Sequence, residues 1–212
     1  PGFGRSRDAW QAGADLPVMV DQLRDALPAR ATWVGWSLGG LLALAAAHRA
    51  PAAVERLVLI GATPRFVQGA DWPCAMARQT LQQFAADLAR DYRGTINRFL
   101  SLQVGGAERE LLRRLRAQAP AHGAPHPDAL RAGLAILEQA DLRGELHAVH
   151  APTLLLHGAR DRLVPVAAAE HLARQLPQAR LVALETAGHV PFLSQPAECL
   201  SAVCDFLHER VN

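Results

Sequence analysis

Lysine is missing altogether: all 22 basic residues of this 212-residue chain are arginine. Beside the heavy alanine content, that points to genomic base composition rather than to a function. Cysteine is scarce. Cys74, Cys199 and Cys204 are odd in number and fit no metal-ligand spacing, which speaks against a disulfide framework and for a reducing, cytoplasmic setting. Cys199 and Cys204 fall in an amphipathic C-terminal stretch and are expected as small buried apolar groups. No apolar run approaches the roughly 20 residues of a membrane span, and no secretory signal is visible. Charge of one sign is lacking too: the formal net charge is +2, without the basic excess of a nucleic-acid binder. His122 and His126 lie in a Pro-rich loop, and His147 and His150 in a connecting segment. No cysteine or carboxylate cluster completes a metal site around them. No metal and no cofactor are expected, and no internal repeat or disordered tail is found.

What is present is a chain 50% hydrophobic, enough for one full-sized core. "PGFGRS" at residue 1 is a Gly-rich turn of the kind that follows a strand, yet no strand precedes it. Helical periodicity over 15–27, a short buried strand from 31, a Leu- and Ala-rich helix over 38–50 and a second strand within 54–64 then alternate, as a parallel sheet requires. From 65 to 146 the alternation stops. Helices are expected at 74–90, 91–104, 107–118 and 127–140, punctuated by Pro and Gly. Alternation resumes with a strand from 152, a helix over 167–176, a strand from 179 and a closing helix over 196–211, with Pro196 at its start. The expected fold is α/β, a mostly parallel sheet with helices on both faces. Its core comprises residues 1–64 and 147–212, and a helical cap is inserted at 65–146.

The stretch "GWSLGG" sits where the first strand turns into a helix. G-x-S-x-G at such a junction is the signature of a nucleophile elbow. Ser37 in a strained turn needs neighbours without Cβ atoms, which accounts for Gly35, Gly39 and Gly40. Two partners are expected downstream. Asp161, in "HGARDRLVP", follows the strand at 152–158, and His189, in "TAGHVPF", follows the next one. All three lie at carboxyl ends of strands, where open α/β sheets gather their reactive groups. Their order along the chain is Ser, Asp, His, the order of the α/β hydrolases. His189 would take the Ser37 proton during attack on a carbonyl, and Asp161 would hold the imidazole in register. The Leu38 backbone N–H, at the helix start, would donate to the oxyanion.

"GWSLGG", "INRFLSLQ", "LRAGLAILEQADLR", "PTLLLHGARDRLVP" and "AGHVPFLSQPAE" together resemble the BioH-type pimeloyl-[acyl-carrier-protein] methyl ester esterases of biotin synthesis. The resemblance runs from residue 1 to about 211. It implies hydrolysis of the methyl ester of a pimeloyl chain carried on acyl carrier protein, through an acylated Ser37. It also implies that Ser37, Leu38 and His189 meet the ester and that Phe99, Leu100, Ser101, Leu102 and Gln103 line the acyl channel. Trp36 and Leu163 are expected as apolar walls. The carrier is acidic, so its docking surface should be basic. Residues 93–116 hold six arginines against two glutamates. Arg93 and Arg98 precede the channel segment, and Arg109, Arg113 and Arg116 recur on one helical face.

The family also has an N-terminal region with the first strands and a "HGWG"-like loop carrying a second oxyanion donor. That region has no counterpart in these residues. The expectation is an N-terminally truncated chain that exposes a sheet edge, folds poorly alone and turns over slowly. A monomer without membrane or nucleic-acid contacts is expected. Two other functions fit the same residues: a general short-chain carboxylesterase or lactonase, and a catalytically silent binding protein.

Overall fold

Residues 1–103, 113 and 124–209 are described by the computed structural model of the chain. Among them, β1 (Ala31–Trp36), β2 (Val54–Ile60), β3 (Thr153–Gly158) and β4 (Ala179–Leu184) form one sheet in that order, every pair parallel. All six residues of β3 are buried. A central strand covered on both faces has no need of polar alternation, which is why Leu154, Leu155 and Leu156 run on without a break. β1 is an edge of this sheet, and its Val34 is 63% exposed.

Strand alternation sends the core to two sides. Leu57, Leu59 and Leu155 pack with α1 (Leu16–Ala26), α2 (Leu38–Arg49) and α6 (Val166–Gln175) on one face. Val58, Leu154 and Leu156 pack on the other against Cys199, Ala202 and Phe206 of α7 (Pro196–His208). Each fully buried Leu contributes about 1.5–3 kcal/mol. The α2 helix is buried continuously from Gly40 to Ala47, because alanines bring its axis close to the sheet. Asp15 caps α1 by accepting from the Val18 N–H at 3.0 Å. Cys199 is buried as expected, and burial pushes its thiol up, whereas Cys204 stays half-buried.

Between β2 and β3 lie α3 (Arg78–Arg90), α4 (Tyr92–Gln103) and α5 (Pro127–Gln139). The helix expected over 107–118 lies outside the described residues, apart from the helical Arg113. The helix expected from 74 starts only at 78. Residues 66–76 instead fold back on themselves, through bridges of Val67 with Met76 and Gly69 with Trp72. Trp72 is 2% exposed there and donates its indole N–H to the Arg65 carbonyl at 2.9 Å.

Both ends of this excursion are tied together. Asp141 accepts from Arg65 at 2.8 Å and from Arg143 at 2.7 Å, and Arg143 also pairs with Asp71 at 3.0 Å. Its guanidinium lies 5.3 Å from the Trp72 ring centre. The Leu142 N–H adds a backbone bond to the Pro64 carbonyl. Chiefly through the Arg143 hydrogen bonds, the Asp141 carboxyl is lowered from 3.8 to about 2. A carboxyl held lower in the folded chain stabilises it above the unfolded value, and that contribution is lost as pH falls from about 4 toward 2. Asp141→Asn is therefore expected to melt below the native protein at pH 6. The gap should narrow at pH 3. Thermal denaturation at both values checks this, and a gap independent of pH would place the stabilisation elsewhere.

Candidate active site

Ser37 follows β1 directly and opens α2 with φ 53° and ψ −118°, the one non-glycine residue at positive φ among those described. Such a conformation costs of order 1–3 kcal/mol and needs its surroundings to enforce it. They do so by close approach. A Cβ on Gly35 would lie 2.4 Å from the Gly39 carbonyl oxygen, and one on Gly40 would lie 2.6 Å from the Ala62 Cβ. Strand and helix can meet this closely only without those two side chains. Gly39 differs from the expectation: nothing lies within 4 Å of the place its Cβ would occupy, so its missing side chain is no steric requirement of the turn. The first helical bonds run from the Gly40 and Leu41 N–H groups to the Ser37 carbonyl. Helix geometry leaves the Leu38 N–H ahead of them without an intrahelical acceptor.

Asp161 and His189 meet. The Asp161 side chain is fully enclosed, and each of its oxygens has work to do. Oδ1 accepts from the Leu163 N–H at 2.8 Å and the Val164 N–H at 2.9 Å. Oδ2 accepts from His189 Nδ1 at 2.7 Å. A carboxylate only accepts, so the His189 proton sits on Nδ1 and the lone pair on Nε2. Nε2 is buried and makes no protein hydrogen bond. This is an imidazole poised to take a proton.

The loop that carries His189 is held from two directions. Gly158 at the end of β3 packs against it so closely that a Cβ would come 2.1 Å from the Gly188 carbonyl oxygen. From the elbow side, the Trp36 indole donates to the His189 carbonyl at 2.8 Å, with its ring centre 5.5 Å from the imidazole and from Phe192. Trp36 was expected as a substrate wall. It braces the histidine loop beside Ser37 and does not line the cavity described next.

A cavity of about 380 Å³ opens at Ser37. Its wall is apolar, built by Phe66, Leu81, Phe84, Phe99 and Leu163 among others. The Phe84 and Phe99 ring centres lie 5.0 Å apart across α3 and α4, with the ring planes tilted by 36°. Ser37, Phe99 and Leu163 of the expected contacts therefore come together here. Leu38 does not: its side chain lines a separate surface groove with Phe3, Met19 and Val34. The Ser101 hydroxyl donates to the Asn97 carbonyl one turn back. The side chains of Leu100, Leu102 and Gln103 lie outside the described residues.

Of the basic residues, Arg93, Arg98 and Arg113 are exposed, while Arg109 and Arg116 fall outside the described residues. Arg98 donates to Thr95 at 2.9 Å. His126 takes a structural role, its Nδ1 accepting from the Asp128 N–H at the start of α5. Three features escaped the sequence reading. Phe66 and Phe84 form cavity wall, and no local pattern separates them from ordinary core. Arg162 is the charged residue in the lining. His157 is 1% exposed on β3, and its one sequence signal is a histidine directly after three leucines in a buried strand.

Residues 1–196 match the family described as alpha/beta hydrolase fold. A pimeloyl-[acyl-carrier protein] methyl ester esterase of Nitrosomonas europaea is 46% identical over 203 residues, covering 95% of this chain and 80% of that protein. The protein of that name from Xanthomonas campestris pv. campestris is 46% identical over 209 residues, 98% of this chain and 81% of that one. An esterase from Exiguobacterium antarcticum superposes with a TM-score of 0.85 at 21% identity, covering 99% of this chain and 76% of that chain. At that identity the superposition speaks for the fold alone.

Proposed function

Because the chain belongs to the α/β hydrolase family, with 46% identity to the two esterases over nearly its whole length, we propose that it is a serine carboxylesterase acting on the methyl ester of pimeloyl-acyl carrier protein. The single observation that carries the chemistry is the enclosed Asp161–His189 bond, which leaves Nε2 unpartnered. Ser37 Oγ attacks the ester carbonyl and gives its proton to His189 Nε2. The oxyanion takes the Leu38 N–H, at the positive end of α2. Collapse expels methanol, which carries away the proton held by His189, and leaves Ser37 acylated. Water, deprotonated by the same nitrogen, then releases pimeloyl-acyl carrier protein with a free carboxylate.

Asp161 enters as orientation and charge. It fixes the Nδ1–H tautomer and stabilises the imidazolium that forms when Nε2 takes the proton. The apolar cavity suits the methylene chain of a pimeloyl group. Residues 65–146 act as the cap over a core made of 1–64 and 147–212. Arg93, Arg98, Arg109, Arg113 and Arg116 on the cap receive the acidic carrier. The protein works as a cytoplasmic monomer. Among the described residues no helix is long and apolar enough to cross a membrane.

The test compares kcat/KM for pimeloyl-acyl carrier protein methyl ester with that for p-nitrophenyl butyrate. The carrier-linked ester is expected to be strongly preferred. Reversing Arg93→Glu together with Arg113→Glu is expected to lower its kcat/KM about tenfold or more, mainly through association. The small ester should change less than twofold. Equal loss on both substrates, or none on either, would make the arginines a solvated face and leave a general esterase.

A further inference from the structure

We propose that His157 is a positioning residue for catalysis, its Nε2–H holding the Val164 peptide and thereby the Asp161 carboxylate in the orientation that His189 requires. This rests on the triad reading above. His157 is the penultimate residue of β3, paired in register with Ala183 of β4. Its side chain is 1% exposed. Nε2 lies 2.8 Å from the Val164 carbonyl oxygen. A carbonyl only accepts, so Nε2 carries the proton and the tautomer follows from the geometry. The same nitrogen lies 3.5 Å from Asp161 Oδ2, the oxygen bonded to His189.

The Val164 backbone is thus gripped on both sides of its Cα. Its N–H goes to Asp161 Oδ1, and its carbonyl goes to His157. Asp161 sits on a tight turn, its own N–H bonded to the Gly158 carbonyl at 3.1 Å. The carboxylate can rotate only if the Leu163 and Val164 N–H groups move with it, and His157 is what stops the second from moving. The groups facing the ring are Asp161 and His189, and desolvation holds the imidazole below its ordinary range and neutral. A neutral donor suits this place. A cation there would compete with the His189 imidazolium for the same carboxylate.

Three substitutions separate positioning from packing. Gln at 157 places an amide N–H near the position of Nε2. Asn stops about one bond short, and Leu has no donor. Each variant is titrated to completion with a fluorophosphonate, so that misfolded protein does not count toward kcat. On p-nitrophenyl butyrate, His157→Leu and His157→Asn are expected to lose about 10- to 100-fold in kcat per titrated site, the scale of a displaced catalytic group. KM should stay within twofold, and His157→Gln should retain kcat within about threefold of native. Unchanged kcat per site in Leu and Asn would overturn the proposal, as would a Gln variant that falls as far as Leu. A native protein without Ser37-dependent hydrolysis would instead remove the triad reading on which the proposal stands.

Discussion

Ser37→Ala is expected to lower kcat on pimeloyl-acyl carrier protein methyl ester by about five to six orders of magnitude, while leaving KM and melting temperature nearly unchanged. The reason lies in what the substitution keeps. Alanine retains the Cβ, so the elbow at φ 53° stays as strained as before, and the contacts of Gly35 and Gly40 that enforce it are untouched. The hydroxyl alone is lost. His189 Nε2, already without a protein partner, then has no proton to take and no acyl-enzyme can form. Ser37→Gly is the complementary variant. It should be equally inactive but more stable by about 1 kcal/mol, because glycine occupies positive φ without penalty. Mass spectrometry of fluorophosphonate-treated protein supplies the second readout: one adduct on Ser37 in the native chain and none in either variant. Residual turnover above a thousandth of native in Ser37→Ala would assign the nucleophile to another group.

The pairing of Asp161 with His189 was legible in the sequence, and for a local reason. A parallel sheet delivers consecutive strand ends to one edge, so a serine, an aspartate and a histidine after three strands must converge if the strands are placed correctly. The strand and helix positions follow from hydrophobic periodicity, and their ends fall within a few residues of the expected ones. Long-range contacts were the part out of reach. Gly69 and Pro73 mark residues 66–73 as a break, but nothing local extends that break through 74–77, where the helix is expected to begin. The conformation of 66–76 is decided by Trp72, which buries its ring under Arg143, 71 positions later, and bonds to the Arg65 carbonyl. Trp36 is expected as an apolar wall from the family resemblance, and only the return of the His189 loop makes it a brace. Gly39 reads like Gly40, and their difference appears only when Ala62 is placed against one of them. His157 shows in sequence only as a histidine in an aliphatic strand, because its partners are a backbone carbonyl and the Asp161 carboxylate, both supplied by the loop that follows.

Asp161→Asn is the second large effect, and here the orientation of the new side chain follows from the structure. Two backbone N–H groups, from Leu163 and Val164, converge on one carboxylate oxygen at 2.8 and 2.9 Å. Only the amide oxygen of asparagine can accept from them, so its NH2 must turn toward His189. That NH2 cannot accept the Nδ1–H, so the imidazole has to present a bare Nδ1 and carry its proton on Nε2. The nitrogen that should take the Ser37 proton is then already occupied. A loss of about 10⁴-fold in kcat is expected, with the loop, its bonds and the melting temperature close to native. Asp161→Ala sets the contrast. It breaks the Oδ1 bonds and should melt several degrees lower, yet it leaves the imidazole free to adopt the productive tautomer part of the time. Asn should therefore be the more stable of the two and the less active, with kcat taken per fluorophosphonate-titrated site. An Asn variant more active than the Ala variant would mean that the amide does not lock the histidine in its wrong tautomer, and that Asp161 acts mainly by holding the loop.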